Sequence, residues 1–169
     1  MPKVNDTPKN YVYRMDHDTG FAPNVEYGIC TLSGCKKETI ELWAKEGSWI
    51  IGIGGKNTGK PDKLIYAMEV EEVLKYPHFK KSHPRKSKYL QKQKAGNNVL
   101  LSKNFYYFGD RAIDLPEKLK SIIIKNQGCK CIYKEDIDKL RKYIKKCYGE
   151  RKKVFGKPNN FESICGTGA

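Results

Sequence analysis

Two alternating runs at the centre of the chain predict a pair of strands. Within 47–55, Trp49, Ile51 and Ile53 share one face, and Ile50, Gly52 and Gly54 the other. Within 63–73, Leu64, Tyr66, Met68 and Val70 stand opposite Ile65, Ala67, Glu69 and Glu71. A turn rich in Gly and Lys joins the two runs. Around this hairpin the pattern predicts a first strand over 10–14 and a loop-rich segment over 19–35. A short helix over 38–46 is expected to bury Ile40 and Trp43 and to stop at Gly47. Residues 75–98 are basic, contain Pro and show weak periodicity, and they are expected to be mobile. Further strands are expected at 99–101 and 105–108. Asp114 opens a helix with Pro116 and Glu117 in its first turn, Leu115, Leu119, Ile122 and Ile123 on its buried face, and an end near Gly128. The last helix, about 134–148, carries Ile137, Leu140, Ile144 and Cys147 at helical spacing and ends at Gly149. The tail, 158–169, is expected to fray.

A chain of 169 residues fits one domain with a real core, and 38% hydrophobic and 11% aromatic residues place it among globular proteins. No apolar run approaches the ~20 residues of a membrane span, and the first 15 residues lack the apolar stretch of a signal peptide. The expectation is a cytoplasmic protein with no membrane partner. Charge adds most to this picture. The net charge of +14 is unevenly spread, since 73–109 holds no acidic residue but includes Lys80, Lys81, Arg85, Lys86 and Lys88. A second basic cluster runs from 139 to 157, broken only by Glu150. Such asymmetry favours a polyanion, because each phosphate neutralised releases a counterion. A lysine-covered surface gives the same composition. Lys far outnumbers Arg, so bidentate reading of base edges is not the expected mode.

Candidate chemistry gathers at a few places. A strand face carrying Gly52 and Gly54 leaves room for another backbone or a flat ligand, and Lys56 and Lys60 could meet a phosphate there. An ordinary hairpin with a solvated loop reads the same way. Cys30, Thr31, Ser33 and Cys35 form a small-residue loop before a helix, whose N–H groups could hold a phosphate with Lys36 adding charge. Lys36 and Lys37 would also favour a Cys35 thiolate. Cys30 and Cys35 with Cys129 and Cys131 are a conceivable zinc set, but C-x-C is a poor chelate and no His lies near, so neither metal nor cofactor is expected. Cys147 reads as core. Asp16, His17 and Asp18 could move protons or bind a metal, or simply form a surface turn. Glu69, Glu71 and Glu72 are acids on what reads as a solvated face. Trp49, Tyr106, Tyr107 and Phe108 could stack a base or fill the core.

The ordered runs GFAPNVEYGICTLSGCK (20–36), GSWIIGIGG (47–55), KLIYAMEVEEV (63–73) and NVLLSKNFYYFG (98–109) with IDLP (113–116) carry a resemblance. Over roughly 11–116 the chain resembles the nucleotide modification associated domain families, specifically the second of that series. The resemblance implies a nucleic-acid context tied to DNA base hypermodification, with DNA ahead of RNA. The chain departs from the family pattern after YPHF (76–79), where a Lys-rich stretch replaces a longer insert, and at Lys37, where Pro is usual.

The sequence therefore points to one α+β domain over 1–169, a small mixed β-barrel of the PUA or EVE type with flanking helices. Its family-like core covers about 11–116 and a helical part covers 117–150. The expected function is binding of nucleic acid or a nucleotide, with a normal or modified base held in a strand-and-loop pocket. That pocket would use Phe21, Asn24, Cys30, Thr31, Lys36, Trp49, Gly52, Gly54, Lys56 and Tyr107. Lys80, Lys81, Arg85, Lys86 and Lys88 would contact the backbone. An enzyme of base modification using Cys35, or Asp16 and His17, is the alternative, and a nucleotide-signal binder in phage–host conflict is a third.

Overall fold

The computed structural model describes residues 7–33, 38–90 and 97–160. In chain order the strands are β1 (Asn10–Met15), β2 (Cys30–Leu32), β3 (Trp49–Gly54), β4 (Leu64–Glu69), β5 (Glu72–Lys75), β6 (Asn98–Ser102), β7 (Phe105–Tyr107) and β8 (Cys129–Ile132). The helices are α1 (Glu38–Trp43), α2 (Tyr76–Ser82), α3 (Pro84–Ser87) and α4 (Lys134–Tyr148). A five-stranded sheet runs β7-β4-β3-β1-β8, parallel only between β1 and β3, and a three-stranded antiparallel sheet runs β2-β6-β5. Neither sheet closes on itself or on the other among the described residues. The expected barrel is therefore corrected to two open sheets, while the mixture of strands and flanking helices stands.

Four layers follow from which faces are apolar. Tyr11, Tyr13 and Met15 of β1, Ile50 of β3, and Tyr66 and Met68 of β4 meet Cys30, Leu32 and Leu100 of the smaller sheet in a first core between the sheets. The opposite face of the large sheet, with Val12, Trp49, Ile51, Ile53 and Ala67, packs under Ile137, Leu140 and Ile144 of α4. Val99 and Leu101, on the outer face of the small sheet, cover Phe79 of α2. β3 is buried on both faces, so it reads as a nearly continuous apolar run. Burying a side chain such as Ile50 or Ile51 stabilises the fold by about 1.5–3 kcal/mol.

The pairing of β3 with β4 shifts register between Gly52 and Ile53, so Gly52 faces Tyr66 while Ile53 faces Leu64. Ile65 is the extra residue. This bulge turns Leu64 to the α4 side and leaves Ile65 with Tyr66 and Met68 in the first core, against strict alternation. The run over 63–73 is also not one strand. At Val70 and Glu71 the chain leaves the large sheet, with the Val70 amide donating to Ser48 O at 2.7 Å and the Glu71 amide to Leu101 O at 3.0 Å, and β5 joins the small sheet.

Four further expectations are corrected. The helix opened by Asp114 is only a short 3-10 helix, Glu117–Ile122, after which an extended chain leads to β8. Trp43 is 58% exposed, because Ile40 and Ala44 take the inward face of α1. Cys147 is exposed beyond the last inward residue of α4, Ile144. The basic stretch over 75–98 holds α2 and α3 instead of an irregular excursion, although 91–96 lie outside the described residues. Residues 153–157 run along the outer edge of β7, with the Tyr107 amide donating to Lys153 O and the Phe155 amide to Tyr107 O, both at 2.8 Å. Residues 158–160 of the expected frayed tail are fixed, while 161–169 lie outside the described residues.

Candidate nucleic-acid interface

The loop over 20–28 is held by its own polar groups. The peptide between Ala22 and Pro23 is cis, and Gly20 and Gly28 take positive φ. Asn24 is buried, and its carboxamide nitrogen donates to Gly20 O at 2.7 Å while its side-chain oxygen accepts from the Glu26 amide at 3.2 Å. Its backbone exchanges hydrogen bonds with Thr31, at 2.8 and 3.0 Å. The Asn24 side chain is therefore engaged internally.

Lys86 completes the arrangement. It is 2% exposed, and its ammonium donates to Asn24 O at 3.0 Å, to Ile29 O at 2.8 Å and to Asn24 Oδ1. Three oxygens meet three N–H groups, which is how a buried ammonium is tolerated without a carboxylate. Desolvation pushes its pKa down to about 8, opposed by the nearby Cys30 and Glu26. Expected as a phosphate contact, Lys86 instead faces inward and fastens α3 to the loop. Fixing α3 sets the position of its neighbours. Arg85 lies over the Tyr27 ring at 5.9 Å, and Tyr89 lies beside it at 6.4 Å between centroids, with ring planes 60° apart. Tyr27 is 56% exposed and sits at φ +60 within the 3-10 turn Glu26–Gly28. For a residue with a Cβ this left-handed conformation costs roughly 1–2 kcal/mol. Lys80, Lys81, Arg85 and Lys88 are exposed, and no single residue in the sequence signals the Tyr27 patch.

The remaining expected site residues sort by burial. Cys30 and Thr31 are closed over within β2, and the Cys30 thiol lies 3.7 Å from Met68 Sδ. Burial pushes that thiol up to about 12, so it is a poor nucleophile. Gly52 and Gly54 do sit at close approaches, but to protein: a Cβ on Gly52 would lie 2.4 Å from the Tyr66 ring, and one on Gly54 would lie 2.0 Å from Lys60 O. Tyr107 is buried, its hydroxyl donating to both Asp18 carboxylate oxygens at 2.8 and 2.9 Å. Phe21 is half-buried and Lys56 exposed. Trp49 faces the opposite side of the large sheet under Arg141, 5.1 Å from the ring centroid. Cys35 and Lys36 lie outside the described residues.

The Asp16–His17–Asp18 group diverges. Asp16 accepts from the Gln127 side chain at 2.7 Å, His17 is exposed, and Asp18 is fully buried. Asp18 accepts from the Asn159 amide at 3.0 Å and from its side-chain nitrogen at 2.9 Å, which holds 158–160 in place. Burial outweighs these bonds and raises its pKa. The three side chains therefore do not converge on a common atom. Among the described residues, no helix is long and apolar enough to cross a membrane.

No curated protein matches the chain. Among solved structures, ASCH from Zymomonas mobilis is similar at 13% identity and a TM-score of 0.44, over 79% of this chain and 94% of its own. A mutant form of that protein is similar at the same identity and TM-score, over 81% of this chain and 99% of its own. The family model described as Nucleotide modification associated domain 2 matches residues 7–89 and 74–164, and the chain belongs to that family.

Proposed function

We propose that this protein is a nucleic-acid-binding module of a base-modification system, receiving an unpaired base on the Tyr27 platform, with DNA favoured over RNA. One observation carries the reading. Tyr27 keeps a large aromatic ring exposed at a backbone position where Gly is the low-energy residue, with Arg85 packed over that ring. Stacking on such a ring suits any base, and the exposed Lys80, Lys81 and Lys88 supply sequence-independent attraction to phosphates. An enzyme is the weaker reading, since Asp16, His17 and Asp18 diverge.

The test is fluorescence anisotropy with a labelled 12-nucleotide single strand, its duplex, and the RNA counterpart. Wild type is expected to prefer the single strand. Tyr27→Ala is expected to weaken it by about 5–100-fold, the equivalent of one lost base stack. Equal affinity of the two proteins for single strands would overturn the proposal.

A further inference from the structure

A second basic feature lies on the other side of the large sheet. The loop bearing Tyr27 packs Ala22 and Val25 against the core between the sheets, whereas Trp49 and Tyr106 belong to the core under α4. Above these two rings opens a cleft of about 390 Å³, walled by Arg141 and Lys145 of α4, by Glu71, Lys103 and Asn104, and by Glu150 and Lys153. Four cations face two carboxylates, and both carboxylates are already engaged. Glu71 Oε1 accepts from Ser102 Oγ and the Asn104 amide, each at 3.1 Å, and from the Lys103 amide. Glu150 pairs with Lys145 at 3.0 Å. Arg141 lies over Trp49, and among the described residues neither it nor Lys103 has a carboxylate within ion-pair distance. Lys153 donates to Lys103 O, which ties the chain after α4 to the β6–β7 turn and helps shape the wall.

From this arrangement we infer that the cleft is an anion site for a phosphate group, with Arg141 and Lys103 as its principal donors. Stacking on Trp49 restrains the Arg141 guanidinium, so less side-chain freedom is lost when it binds an oxyanion. Trp49 is 5% exposed, against 56% for Tyr27, so its ring has no free face for a base and a phosphate fits here better. The phosphate can belong to a nucleic-acid strand or to a free nucleotide. In the first case the strand has a second anchor, distinct from the Tyr27 platform.

The chain contains two tryptophans, so full-length Trp43→Phe leaves Trp49 as the sole tryptophan emitter, directly beneath the proposed site. Its emission is titrated with inorganic pyrophosphate, with a mononucleotide and with a 12-nucleotide single strand. A saturable change is expected that weakens tenfold or more in both Lys103→Gln and Arg141→Gln, as loss of a charge-assisted contact requires. Lys118→Gln, which removes an exposed charge outside the cleft lining, is expected to leave the pyrophosphate response unchanged. Saturation by the strand alone assigns the site to a phosphodiester, and saturation by pyrophosphate or the mononucleotide as well assigns it to a terminal phosphate. Persistence of the pyrophosphate response in Tyr27→Ala shows that the cleft works independently of the platform. A response absent with all three probes overturns the inference, as does equal weakening by Lys118→Gln.

Discussion

The ammonium of Lys86 donates to the backbone oxygen of Asn24 at 3.0 Å across 62 residues of sequence, tying α3 to the loop that carries Tyr27. This contact joins stability to the proposed binding surface. Replacing the lysine leaves the partly buried Ile29 oxygen without its donor and takes from the Asn24 oxygen one of its donors, the Thr31 amide remaining. Lys86→Met is expected to cost about 1–3 kcal/mol in urea denaturation. It should also weaken single-strand binding, although Lys86 itself is buried. Unchanged affinity would show that the clamp does not set the platform.

The same lysine gives a pH signature. Its free value is 10.5 and its folded value about 8, so between these limits the unfolded chain holds a proton that the folded chain has released. Stability from this group therefore rises with pH across that window. Cys30 acts oppositely above about 9, where the free thiol ionises and the folded one does not. Between pH 8 and 9 the urea midpoint of wild type should gain on that of Lys86→Met. A wild-type midpoint that falls relative to the variant would contradict the assignment.

Tyr27 offers a test in which stability and binding move in opposite directions. Tyr27→Gly relieves the left-handed backbone and should stabilise the fold by about 1 kcal/mol, less the entropy that glycine adds to the unfolded chain. Single-strand affinity should drop as in Tyr27→Ala. Thermal melting paired with anisotropy reads both effects, and a variant that gains stability while keeping its affinity would deprive Tyr27 of a binding role.

Asp18 fixes the segment after α4 from the inside. Asp18→Ala leaves the Tyr107 hydroxyl and two Asn159 donors without their acceptor. A loss of about 1.5–3 kcal/mol is expected, together with faster amide exchange at Asn159 and along 153–157. Exchange rates unchanged in that segment would show that it is held by other contacts.

Gly52 and Gly54 test the close approaches. Gly52→Ala drives a methyl group into the Tyr66 ring and Gly54→Ala drives one into Lys60 O, so each should destabilise by about 1–3 kcal/mol. Gly54→Ala should be the worse of the two, because a backbone carbonyl in the β3–β4 turn yields less readily than a side chain. Urea midpoints compare them directly.

β1, β3 and α4 were legible from the chain because their apolar period matches one structure and their burial is local to the element. Tyr11, Tyr13 and Met15 point one way at a spacing of two, and Ile137, Leu140 and Ile144 at helical spacing. The close approach at Gly52 was legible too, since a missing side chain announces a near neighbour. That the neighbour is the Tyr66 ring depends on register with β4. The break between β4 and β5 was hidden, because alternation continues unchanged through the corner where the chain changes sheet. The Asp114 helix failed because apolar residues at helical spacing in 115–123 satisfy a six-residue 3-10 helix as well as a longer α-helix.

The basic character, the family fingerprint and the strand and helix periods were properties of the sequence alone, because charge and periodicity need no partner. The inward turn of Lys86, the exposure of Tyr27 and the meeting of Arg141 with Trp49 were decided only by tertiary structure. In each case the direction of a side chain depends on a group far along the chain. A lysine amid lysines carries no local mark that it will find three buried oxygens.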